Sequence, residues 1–501
     1  MFLAFDIGTS SVKTALYDAE GRMLHQTTCA YDLDTPQAGW CELNPEVYWA
    51  SVLQGFARNL HETGVDARAI QAIAGASQGE TVILLDAAGD PVYPAIVWLD
   101  NRAQQEADDL REEFDAVAFY EKTGIPRIDS TWSICKLLWT RKRRPRVWKR
   151  CQTILLVEDY IVYRLTGQRL ACHSLWSTTG LMDLQRKTHW AEAVNRLGVS
   201  DKLPPIVEEG AVVGPCRPDV AEQLGLSRST VVIKGTMDQT MAAFACGNVR
   251  PGIATITIGS ALALAVATDH RPTSGGAALP FQTHIVPDSY LCLPFVKTAG
   301  MALKWFRDQF GGEEIKQAAD AERSFAHLDA HAAAVPPGAE GLVFLPFLAG
   351  ASFPKPDDQA MGVFYGVLLK HAKGHFIRAI LEGVGYELKR LLDYIATEGV
   401  AVGEIRAMGG GARSDLWLQV MADICQTPIR RMKNEEATLR GGALLCATRC
   451  GQYASLREAA ETILPAGAVF RPHMENAVIY SENWRRYEHL REQVAPLFHA
   501  E

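Results

Sequence analysis

A short segment near the start of the chain, DIGTSSVK, combines a carboxylate, a glycine, hydroxyls and a lysine. The apolar run before it predicts a strand that ends at Asp6, and Gly8 allows a tight turn. The backbone amides and hydroxyls of Thr9 and Ser10 can then surround a phosphate group. Lys13 can balance the charge of a transferred phosphoryl group, and Asp6 is a candidate ligand of Mg²⁺, directly or through water. The alternative is an ordinary hairpin turn with a capping Asp and a solvated Lys.

A second carboxylate, Asp238, comes directly before the helical stretch 241–246, which is built from apolar and small residues. This position is typical of a helix N-cap. A carboxylate beside a hydroxyl group can also orient that hydroxyl and accept its proton during phosphoryl transfer. The two roles are compatible, and the residues alone leave both open.

A glycine-rich turn lies late in the chain. The run Glu404–Met408 predicts a strand, and Leu416–Ile424 predicts a helix that begins after Ser414. Between them, Gly410 and Gly411 would let a nucleotide lie against bare backbone, while the helix N-terminus favours a phosphate group. The full spacing of a dinucleotide-binding motif is absent.

The order of predicted elements indicates an α/β fold. Residues Met1–Cys29 read as three strands joined by turns, the second of which is Asp18–Gly21. A helix from Pro45 to about His61 and a strand at Ile70–Ala74 follow. Strands and helices alternate after that.

The chain also resembles itself at one constant offset. Ile7, Gly8, Thr9 and Asp18 recur as Ile258, Gly259, Ser260 and Asp269, although Thr257 takes the place of Asp6. The repeat predicts a second glycine-and-hydroxyl turn between strands, as a duplicated domain would have. The polar Gly/Pro stretch Gly247–Gly252 suits a connection, so we predict domains at 1–247 and 248–501.

Bulk properties restrict the class of protein. The 501 residues are 48% apolar and 22% charged, which is typical of a folded protein of more than one domain. The formal charge of −8 argues against nucleic-acid binding. No apolar stretch long enough for a membrane span and no secretory leader are apparent. The eleven cysteines lack metal-site spacing and favour reduced thiols and a cytoplasmic location.

These motifs, with others, occur in the order found in the FGGY carbohydrate kinases, relatives of actin and hexokinase, and the chain resembles that family over nearly its whole length. The matching segments are DIGTSSVK, SQGET (Ser77–Thr81), AIVWLDNRA (Ala95–Ala103), SICKLLW (Ser133–Trp139), EDYIVYRLTG (Glu158–Gly167), GTMDQTMAAFACG (Gly235–Gly247), TITIGS (Thr255–Ser260), EGVGYEL (Glu382–Leu388) and MGGGARSDLW (Met408–Trp417).

The resemblance implies two actin-like (ribonuclease H-like) α/β domains with a nucleotide cleft between them, and ATP-dependent phosphorylation of a sugar hydroxyl. Asp238 matches the family's general base, with Gln239 beside it. Residues Gln78, Gly79 and Glu80 fall where relatives bind substrate, although a Glu that ends a strand can also be merely solvated. The resemblance assigns ATP contacts to both halves; in the second they are Gly259, Ser260, Gly410, Gly411 and Ser414.

Trp98 has two interpretations that the sequence leaves open. It follows an apolar run at a predicted turn, where its ring could stack on the CH face of a sugar. It could equally be a core tryptophan.

Substrate identity follows from finer likenesses. Xylulose kinases typically carry Met-His-Gly where this chain has Ser77-Gln78-Gly79, and glycerol kinases carry Arg in place of Gly79. The missing side chain predicts room for a ketopentose such as D-xylulose, and the start of the chain is similar to xylulose kinases. Glycerol, sugar alcohols and aldonates such as gluconate are the alternative substrates.

A non-enzymatic, actin-like assembly or sensor protein that uses nucleotide as a switch is the rival from another class. Asp238 and Gln239 in a sugar-site context favour the enzyme. The sequence does not decide between a monomer and a homodimer.

Overall fold

The computed structural model describes residues 1–271, 279–318, 321–354, 356–433, 436–462 and 467–499. Its contacts group the described residues into two units. The first unit draws on Met1–Val249, Pro280–Leu291 and Glu435–Leu464; the second draws on Arg250–Leu279, Cys292–Asn434 and Pro465–Glu501. The change after Val249 lies close to the predicted boundary, but the return of two later segments to the first unit was not anticipated. The domain assignment stays a prediction.

Up to Val249 the chain forms short and long strands interleaved with helices. The strands are β1 (Phe2–Ile7), β2 (Ser11–Tyr17), β3 (Met23–Ala30), β4 (Glu42–Leu43), β5 (Ala72–Ser77), β6 (Ile83–Leu85), β7 (Ala95–Ile96), β8 (Thr153–Leu155), β9 (Ala171–Cys172), β10 (Met182–Asp183), β11 (Thr188–His189), β12 (Ile206–Val207), β13 (Val212–Pro215), β14 (Val231–Ile233) and β15 (Thr236–Met237). The helices are α1 (Pro45–Thr63), α2 (Gln104–Glu113), α3 (Ala116–Thr123), α4 (Ser133–Arg143), α5 (Pro145–Arg150), α6 (Val157–Thr166), α7 (His173–Trp176), α8 (Ala191–Leu197), α9 (Pro218–Leu224) and α10 (Asp238–Ala245), with 3₁₀ turns at Ala67–Ala69 and Ser177–Thr179.

The rest of the chain continues the alternation. Its strands are β16 (Gly252–Ile258), β17 (Leu262–Thr268), β18 (Phe281–Thr283), β19 (Tyr290–Cys292), β20 (Phe295–Val296), β21 (Val343–Leu345), β22 (Val363–Tyr365), β23 (Val402–Met408), β24 (Ile429–Arg431) and β25 (Val469–Phe470). Its helices are α11 (Gly300–Phe310), α12 (Gly312–Gln317), α13 (Ala321–Ala333), α14 (Lys373–Thr397), α15 (Asp415–Cys425), α16 (Ala437–Arg449), α17 (Leu456–Thr462) and α18 (Ala477–Val494). Further 3₁₀ turns lie at Ala339–Gly341, Gly410–Arg413, Met474–Asn476 and Ala495–His499.

The sheet of the first unit has the order β13-β14-β5-β1-β2-β3, with β15 paired to β5. Strand β1 is buried on both faces, and its side chains alternate between two cores. Leu3 and Phe5 join the cluster that includes Val52 of helix α1, whereas Ala4 joins the cluster that includes Met241 of α10. This alternation is the period of two that a strand imposes, and it explains why β1 reads as a continuous apolar run.

Helix α16 reaches the sheet of the first unit because it carries glycines where its backbone meets neighbouring atoms. A Cβ on Gly442 would lie 3.0 Å from the carbonyl oxygen of Ala74, and one on Gly441 would lie 2.6 Å from Cγ of Met241. A larger residue at either position would push the helix outward. The close approach packs Leu439 of α16 into the same cluster as Met241.

The second unit repeats the central motif of the first. Its sheet contains the order β17-β16-β23-β24-β25. In both units an antiparallel hairpin pairs its first strand with a parallel neighbour, β5 for β1 and β23 for β16. The turn after β16 is closed by a hydrogen bond from Gly259 N to Ala261 O, as Gly8 N donates to Ser11 O in the first unit. The predicted second glycine-and-hydroxyl turn between strands is therefore confirmed.

A fully buried charge network fixes the chain before Asp238. Lys234 forms ion pairs with Glu158 and with Asp159, the latter at 2.6 Å. Glu158 Oε1 also accepts a hydrogen bond of 2.7 Å from Gly235 N. Burial lowers the pKa of Lys234, but the two carboxylates outweigh that effect and hold the pKa above its usual value. Burial raises the pKa of Glu158, against the attraction of Lys234.

In the part of the chain that the structure describes, no helix is both long and apolar enough to cross a bilayer.

Lys234→Met should destabilise the protein strongly. The substitution keeps the volume but leaves two buried carboxylates without their cation, which costs about 3–5 kcal/mol in comparable sites. We expect a clear fall in the Tm of the first unfolding transition in calorimetry. Glu158→Gln is the matched control: it keeps the shape and the acceptor for Gly235 N while leaving Lys234 one carboxylate, so its Tm should change much less. A parent-like Tm in Lys234→Met would show that the network does not stabilise the fold.

Candidate active site

The candidate catalytic side chains sit where parallel strands end together. Strand β5 pairs in parallel with β1 and with β15, and Ser77 lies opposite both Ile7 and Met237. The residues that follow or end these strands therefore meet at one edge of the sheet. This register brings together Asp6, the Gln78–Glu80 segment and Asp238 from three distant parts of the sequence.

The predicted phosphate turn joins β1 to β2 and is anchored by aromatic side chains. The Tyr31 hydroxyl donates a hydrogen bond of 2.5 Å to Gly8 O. The indole Nε1 of Trp98 donates one of 2.9 Å to Thr9 Oγ1. Ser10 is exposed, and its carbonyl accepts from Tyr31 N at 3.0 Å. The turn thus presents hydroxyls and backbone to solvent.

Asp6 and Lys13 lie opposite each other on the two strands of this hairpin. Burial, followed by the nearby charge of Asp238, raises the pKa of Asp6 to about 8 despite the opposing effect of Lys13. The Lys13 ammonium forms an ion pair of 2.7 Å with Glu436, and both side chains are about one-third exposed. Glu436 precedes helix α16 and was not anticipated from the sequence.

Asp238 is the first residue of helix α10, and Met237 occupies the N-cap position. The N-cap interpretation of Asp238 is therefore wrong by one residue. Its carboxylate accepts a hydrogen bond of 2.6 Å from Gln239 N, and both side chains remain partly accessible. Burial raises the pKa of Asp238 to about 7; the Gln239 amide lowers it and the charge of Glu80 adds to the increase. Such a carboxylate is a poised proton acceptor near neutral pH.

Gln78 is buried and holds an unused acceptor. Its Nε2 donates a hydrogen bond of 3.0 Å to the Tyr48 hydroxyl. Its Oε1 has no hydrogen-bond partner among the described residues. A buried acceptor left unpaired is costly, so this atom is suited to receive a hydroxyl from a ligand.

Glu80 is buried and held in a left-handed backbone conformation, with φ of 57°. The solvated-Glu interpretation is therefore wrong. Burial raises the pKa of its carboxyl, against a hydrogen bond with Thr178 and the charge of Lys136. A non-glycine residue in this conformation is uncommon and indicates that the surrounding contacts impose it.

Gly79 does not face open space. A Cβ at this position would lie 3.1 Å from Thr178 Oγ1 and 3.4 Å from Met237 Sδ. The absent side chain is needed for close packing of the protein itself. The expectation that Gly79 leaves room for a larger sugar therefore has no support in the geometry.

The structure supports the core interpretation of Trp98 in part, and its contact with a sugar stays a prediction. Its half-buried ring packs against the core cluster beneath β1, so it is in part a core residue. Its backbone amide donates to Thr81 Oγ1 at 3.1 Å, and its carbonyl accepts from Lys136 Nζ at 3.2 Å.

The nucleotide candidates of the second unit also gather at adjacent strand ends. Thr257 of β16 lies opposite Met408 of β23, so the turns that follow these strands are neighbours. A Cβ on Gly411 would lie 2.4 Å from Ile258 Cγ2, whereas one on Gly410 would meet nothing within 4 Å. Ser414 caps helix α15 through a 3.0 Å hydrogen bond from Trp417 N. The predicted strand-glycine-helix arrangement is confirmed, and the turn with exposed Gly259 and Ser260 lies beside it.

Two family models match the chain: the N-terminal domain of the FGGY family of carbohydrate kinases over residues 1–245, and the C-terminal domain of that family over residues 254–450. The chain belongs to this family. The prediction of two actin-like α/β domains is confirmed, as is the prediction of an enzyme that transfers a phosphoryl group to an alcohol. Family membership favours this enzyme over the assembly or sensor alternative.

Similar proteins of the FGGY family include two kinases with different names. The xylulose kinase of Bacillus subtilis (strain 168) is 30% identical, over 97% of this chain and 96% of that protein. The gluconokinase of the same organism is 29% identical, over 94% of this chain and 91% of its own length. The solved xylulose kinase from Rhodospirillum rubrum has a TM-score of 0.92 and 28% identity, and the alignment covers 99% of each chain.

Several side chains that shape the candidate FGGY site were missed from the sequence. Tyr31 and Tyr48 gave no signal, because an aromatic residue at the end of a strand or in an amphipathic helix usually belongs to the core. Lys136 did give a sequence signal, because it is a single cation within the apolar helical run SICKLLW. It is completely buried, and its Nζ donates to the carbonyls of Thr131, Trp98 and Glu80 at 2.5, 3.2 and 3.5 Å. Burial lowers its pKa.

Asp6, the candidate metal ligand, does not belong to a cluster of metal-ligating side chains among the described residues. Among the described residues, one group of metal-ligating side chains lies close enough to share an ion, and it consists of His173, Glu208 and Glu209. Asp6 is not part of it. Any ion at Asp6 must therefore take further ligands from water or from substrate phosphates, as Mg²⁺ commonly does.

The pH profile should report the ionisation of Asp238. A protonated Asp238 cannot accept a proton, so kcat/KM for the sugar should fall about tenfold per pH unit below pH 7 and level off above it. This midpoint corresponds to the raised pKa of about 7. The measurement is steady-state phosphorylation between pH 5.5 and 9.

Asp238→Asn is the control for this profile. It should lower turnover by roughly 10² or more and remove the inflection near pH 7. Because burial raises the pKa of Asp238, the native state loses stability as pH rises from about 4 to about 7. The Asn variant should therefore have a higher Tm than the parent at pH 8, and this gain should vanish near pH 4. Parent-like turnover in the variant would remove Asp238 from the reaction.

Proposed function

We propose that this FGGY kinase transfers the γ-phosphate of ATP to a hydroxyl of a ketopentose such as D-xylulose, with Asp238 as general base. The observation that carries the proposal is the meeting of Asp238, Gln78 and Glu80 at the ends of adjacent parallel strands. Xylulose kinases among the similar proteins support this substrate, since their likeness spans the whole chain.

The protein side chains carry out a simple sequence of tasks. Gln78 Oε1 and the Glu80 carboxyl hold sugar hydroxyls, and Trp98 offers its exposed face to the CH side of the sugar. Gly79 and Gln239 complete the substrate-binding segment. The reacting hydroxyl oxygen forms a bond to the γ-phosphorus as the bond to the leaving ADP breaks, and its proton passes to the Asp238 carboxylate.

We propose phosphate-binding and nucleotide-binding turns in each unit, taken by itself. In the first unit the amides and hydroxyls of Gly8, Thr9 and Ser10 bind phosphate oxygens, and Lys13 leaves Glu436 to meet the transferred group. In the second unit the corresponding residues are Gly259, Ser260, Gly410, Gly411 and Ser414. The open space beside Gly410 supports a nucleotide contact there.

Mg²⁺ is part of the same proposal, with Asp6 as its protein ligand. The carboxylate fits a cation because burial and the charge of Asp238 make its ionisation costly without one, as the pKa of about 8 indicates. When bound, Mg²⁺ neutralises charge that develops on the phosphates.

An aldonate such as gluconate is the second candidate, because a gluconokinase is nearly as similar as the xylulose kinase. The local charge argues against it. Glu80 and Asp238 are carboxylates, and the nearby cation Lys136 already donates to backbone carbonyls. A substrate carboxylate would meet repulsion that a neutral ketose avoids.

Location and assembly complete the proposal. All eleven cysteines are free thiols, which supports a reducing, cytoplasmic location. A homodimer is compatible with the proposed activity, and light scattering on the purified protein measures it directly.

A substrate screen tests the proposed function. We expect D-xylulose to give a kcat/KM about tenfold or more above those of gluconate and glycerol, because only differential transition-state binding separates these substrates. The measurement is coupled ADP release with pentuloses, hexuloses, polyols and aldonates at one fixed ATP concentration. A preference for gluconate would overturn the charge argument and leave the kinase assignment intact.

Asp6→Asn tests the Mg²⁺ ligand. The amide keeps the shape but binds a hard cation more weakly, so turnover should fall and the Mg²⁺ concentration for half-maximal activity should rise several-fold. The variant should remain folded, since it removes a carboxylate that burial disfavours. An unchanged Mg²⁺ dependence would mean that Asp6 does not hold the metal.

A further inference from the structure

Trp98 connects the sugar-binding segment to the phosphate turn through hydrogen bonds at both ends of the residue. Its backbone amide donates to Thr81 Oγ1, and its carbonyl accepts from Lys136 Nζ, which also contacts the carbonyl of Glu80. Its indole Nε1 donates to Thr9 Oγ1 at 2.9 Å. The backbone of Trp98 is thus hydrogen-bonded to residues beside the proposed sugar site, and its indole nitrogen is hydrogen-bonded to the phosphate turn.

The hydrogen bond at Thr9 gives that hydroxyl a direction. A threonine hydroxyl has one hydrogen to donate and two lone pairs. When Oγ1 accepts from the indole, the hydrogen of Thr9 is left to donate to another group, and its donor strength increases because hydrogen bonds in series polarise one another. The turn between β1 and β2 is where the proposed function places the ATP phosphates.

A second chain of contacts runs in the same direction. The Tyr31 hydroxyl donates to Gly8 O, and the Tyr31 ring packs edge-on against Tyr48 at 5.6 Å between centroids. The Tyr48 hydroxyl accepts from Gln78 Nε2 at 3.0 Å. Gln78, like Trp98, is assigned to the sugar. This second path includes a ring contact in place of a hydrogen bond, so of the two paths the one through Trp98 is hydrogen-bonded throughout.

We infer that the Trp98–Thr9 hydrogen bond couples the two substrates, so that a sugar against Trp98 tightens the binding of ATP to the phosphate turn. The inference rests on the proposed function and makes Trp98 a positioning residue for the phosphates as well as a wall of the sugar site. A sugar that packs on the ring restricts its rotation and keeps Nε1 aimed at Thr9. Sugar binding then carries the entropy cost of ordering the turn. ATP binds to a turn that is already ordered, so its binding free energy becomes more favourable by that amount.

Coupling of this kind is reciprocal. If the sugar tightens nucleotide binding by some factor, the nucleotide must tighten sugar binding by the same factor. We expect a factor of about fivefold or more in the parent protein, the lower end for coupled sites. Without the indole hydrogen bond, the factor should fall to about 1, which means no coupling.

The test measures binding without turnover. The dissociation constant of Mg²⁺ with the non-hydrolysable analogue AMP-PNP is determined by calorimetry, with and without saturating D-xylulose. The variants are Trp98→Phe, which keeps an aromatic face but loses the N–H, and Thr9→Val, which keeps the shape but loses the hydroxyl. Thr9→Ser retains the hydroxyl and is the matched control. We expect both deletion variants to lose the coupling factor and Thr9→Ser to keep most of it.

The double variant adds a second criterion. If this one hydrogen bond carries the coupling, the second substitution removes nothing further. The coupling factor of Trp98→Phe combined with Thr9→Val should therefore equal that of either single variant. Should Trp98→Phe fail to fold, Thr9→Val against Thr9→Ser still decides the matter.

The outcomes separate this inference from the proposed function. A parent protein that phosphorylates no sugar contradicts the proposed function. A parent that phosphorylates D-xylulose, with a coupling factor that persists in both deletion variants, overturns the inference alone. A higher KM for the sugar in Trp98→Phe with unchanged coupling would likewise overturn it, because Trp98 would then be only a wall of the sugar site.

Discussion

The parallel pairing of β5 with both β1 and β15 is the constraint on which the candidate site depends. Strand β5 is short, and its last residue, Ser77, lies opposite the ends of both neighbours. A slip of one residue would turn every side chain of a strand to the other face. The alternation of β1 between two separate cores excludes such a slip, because Phe5 and Ala4 differ too much in volume to exchange places. Packing far from the chemistry therefore fixes where Asp6 and Asp238 stand.

The same register concentrates negative charge in a confined place. Asp6, Glu80 and Asp238 all have raised pKa values, chiefly because burial disfavours their charged forms. Each such group reduces the stability of the fold at neutral pH. The nearby Lys234 network provides rigidity at this edge, since it joins the strand that leads to Asp238 with helix α6 through Glu158. The candidate site therefore combines buried carboxylates whose ionisation destabilises the fold with a neighbouring network whose charges are paired.

Much of this arrangement could be predicted from local sequence. The hairpin around Gly8, its repeat around Gly259 and the strand-glycine-helix turn before Ser414 each depend on residues close together in the chain. The roles predicted for Gln78 and Glu80 follow from the family resemblance, and the role predicted for Asp238 follows also from the ability of a carboxylate beside a hydroxyl to accept its proton. The strand predicted at Ile70–Ala74 begins and ends early relative to β5, because apolar character does not define where pairing with β1 starts.

What could not be predicted depends on contacts between distant segments. Lys13 pairs with Glu436, more than 400 residues away, and helix α16 returns to the first unit although the sequence places it late in the chain. Tyr48 holds Gln78 across 30 residues. Gly79 shows the converse error: its missing side chain was read as space for a ligand, yet Thr178 and Met237 occupy that direction. A glycine can indicate that there is no room for a Cβ. Only the fold shows whether protein atoms or a ligand occupy that space.

The charge of the site leads to a view of selectivity that does not depend on pocket size. A neutral sugar presents hydroxyls that can donate to a carboxylate and accept from a protonated one, so the contact proposed with Glu80 would be possible in either ionisation state. An anionic substrate would need those carboxyls protonated or a cation turned toward it. Lys136 is a buried cation whose charge acts on Glu80, and turning its ammonium toward a ligand would leave the carbonyls of Thr131 and Trp98 without their donor. Under the proposed function, an anionic substrate would therefore require different groups around this lysine, and the hydrogen bonds of Lys136 are a more informative guide to the substrate than the volume beside Gly79.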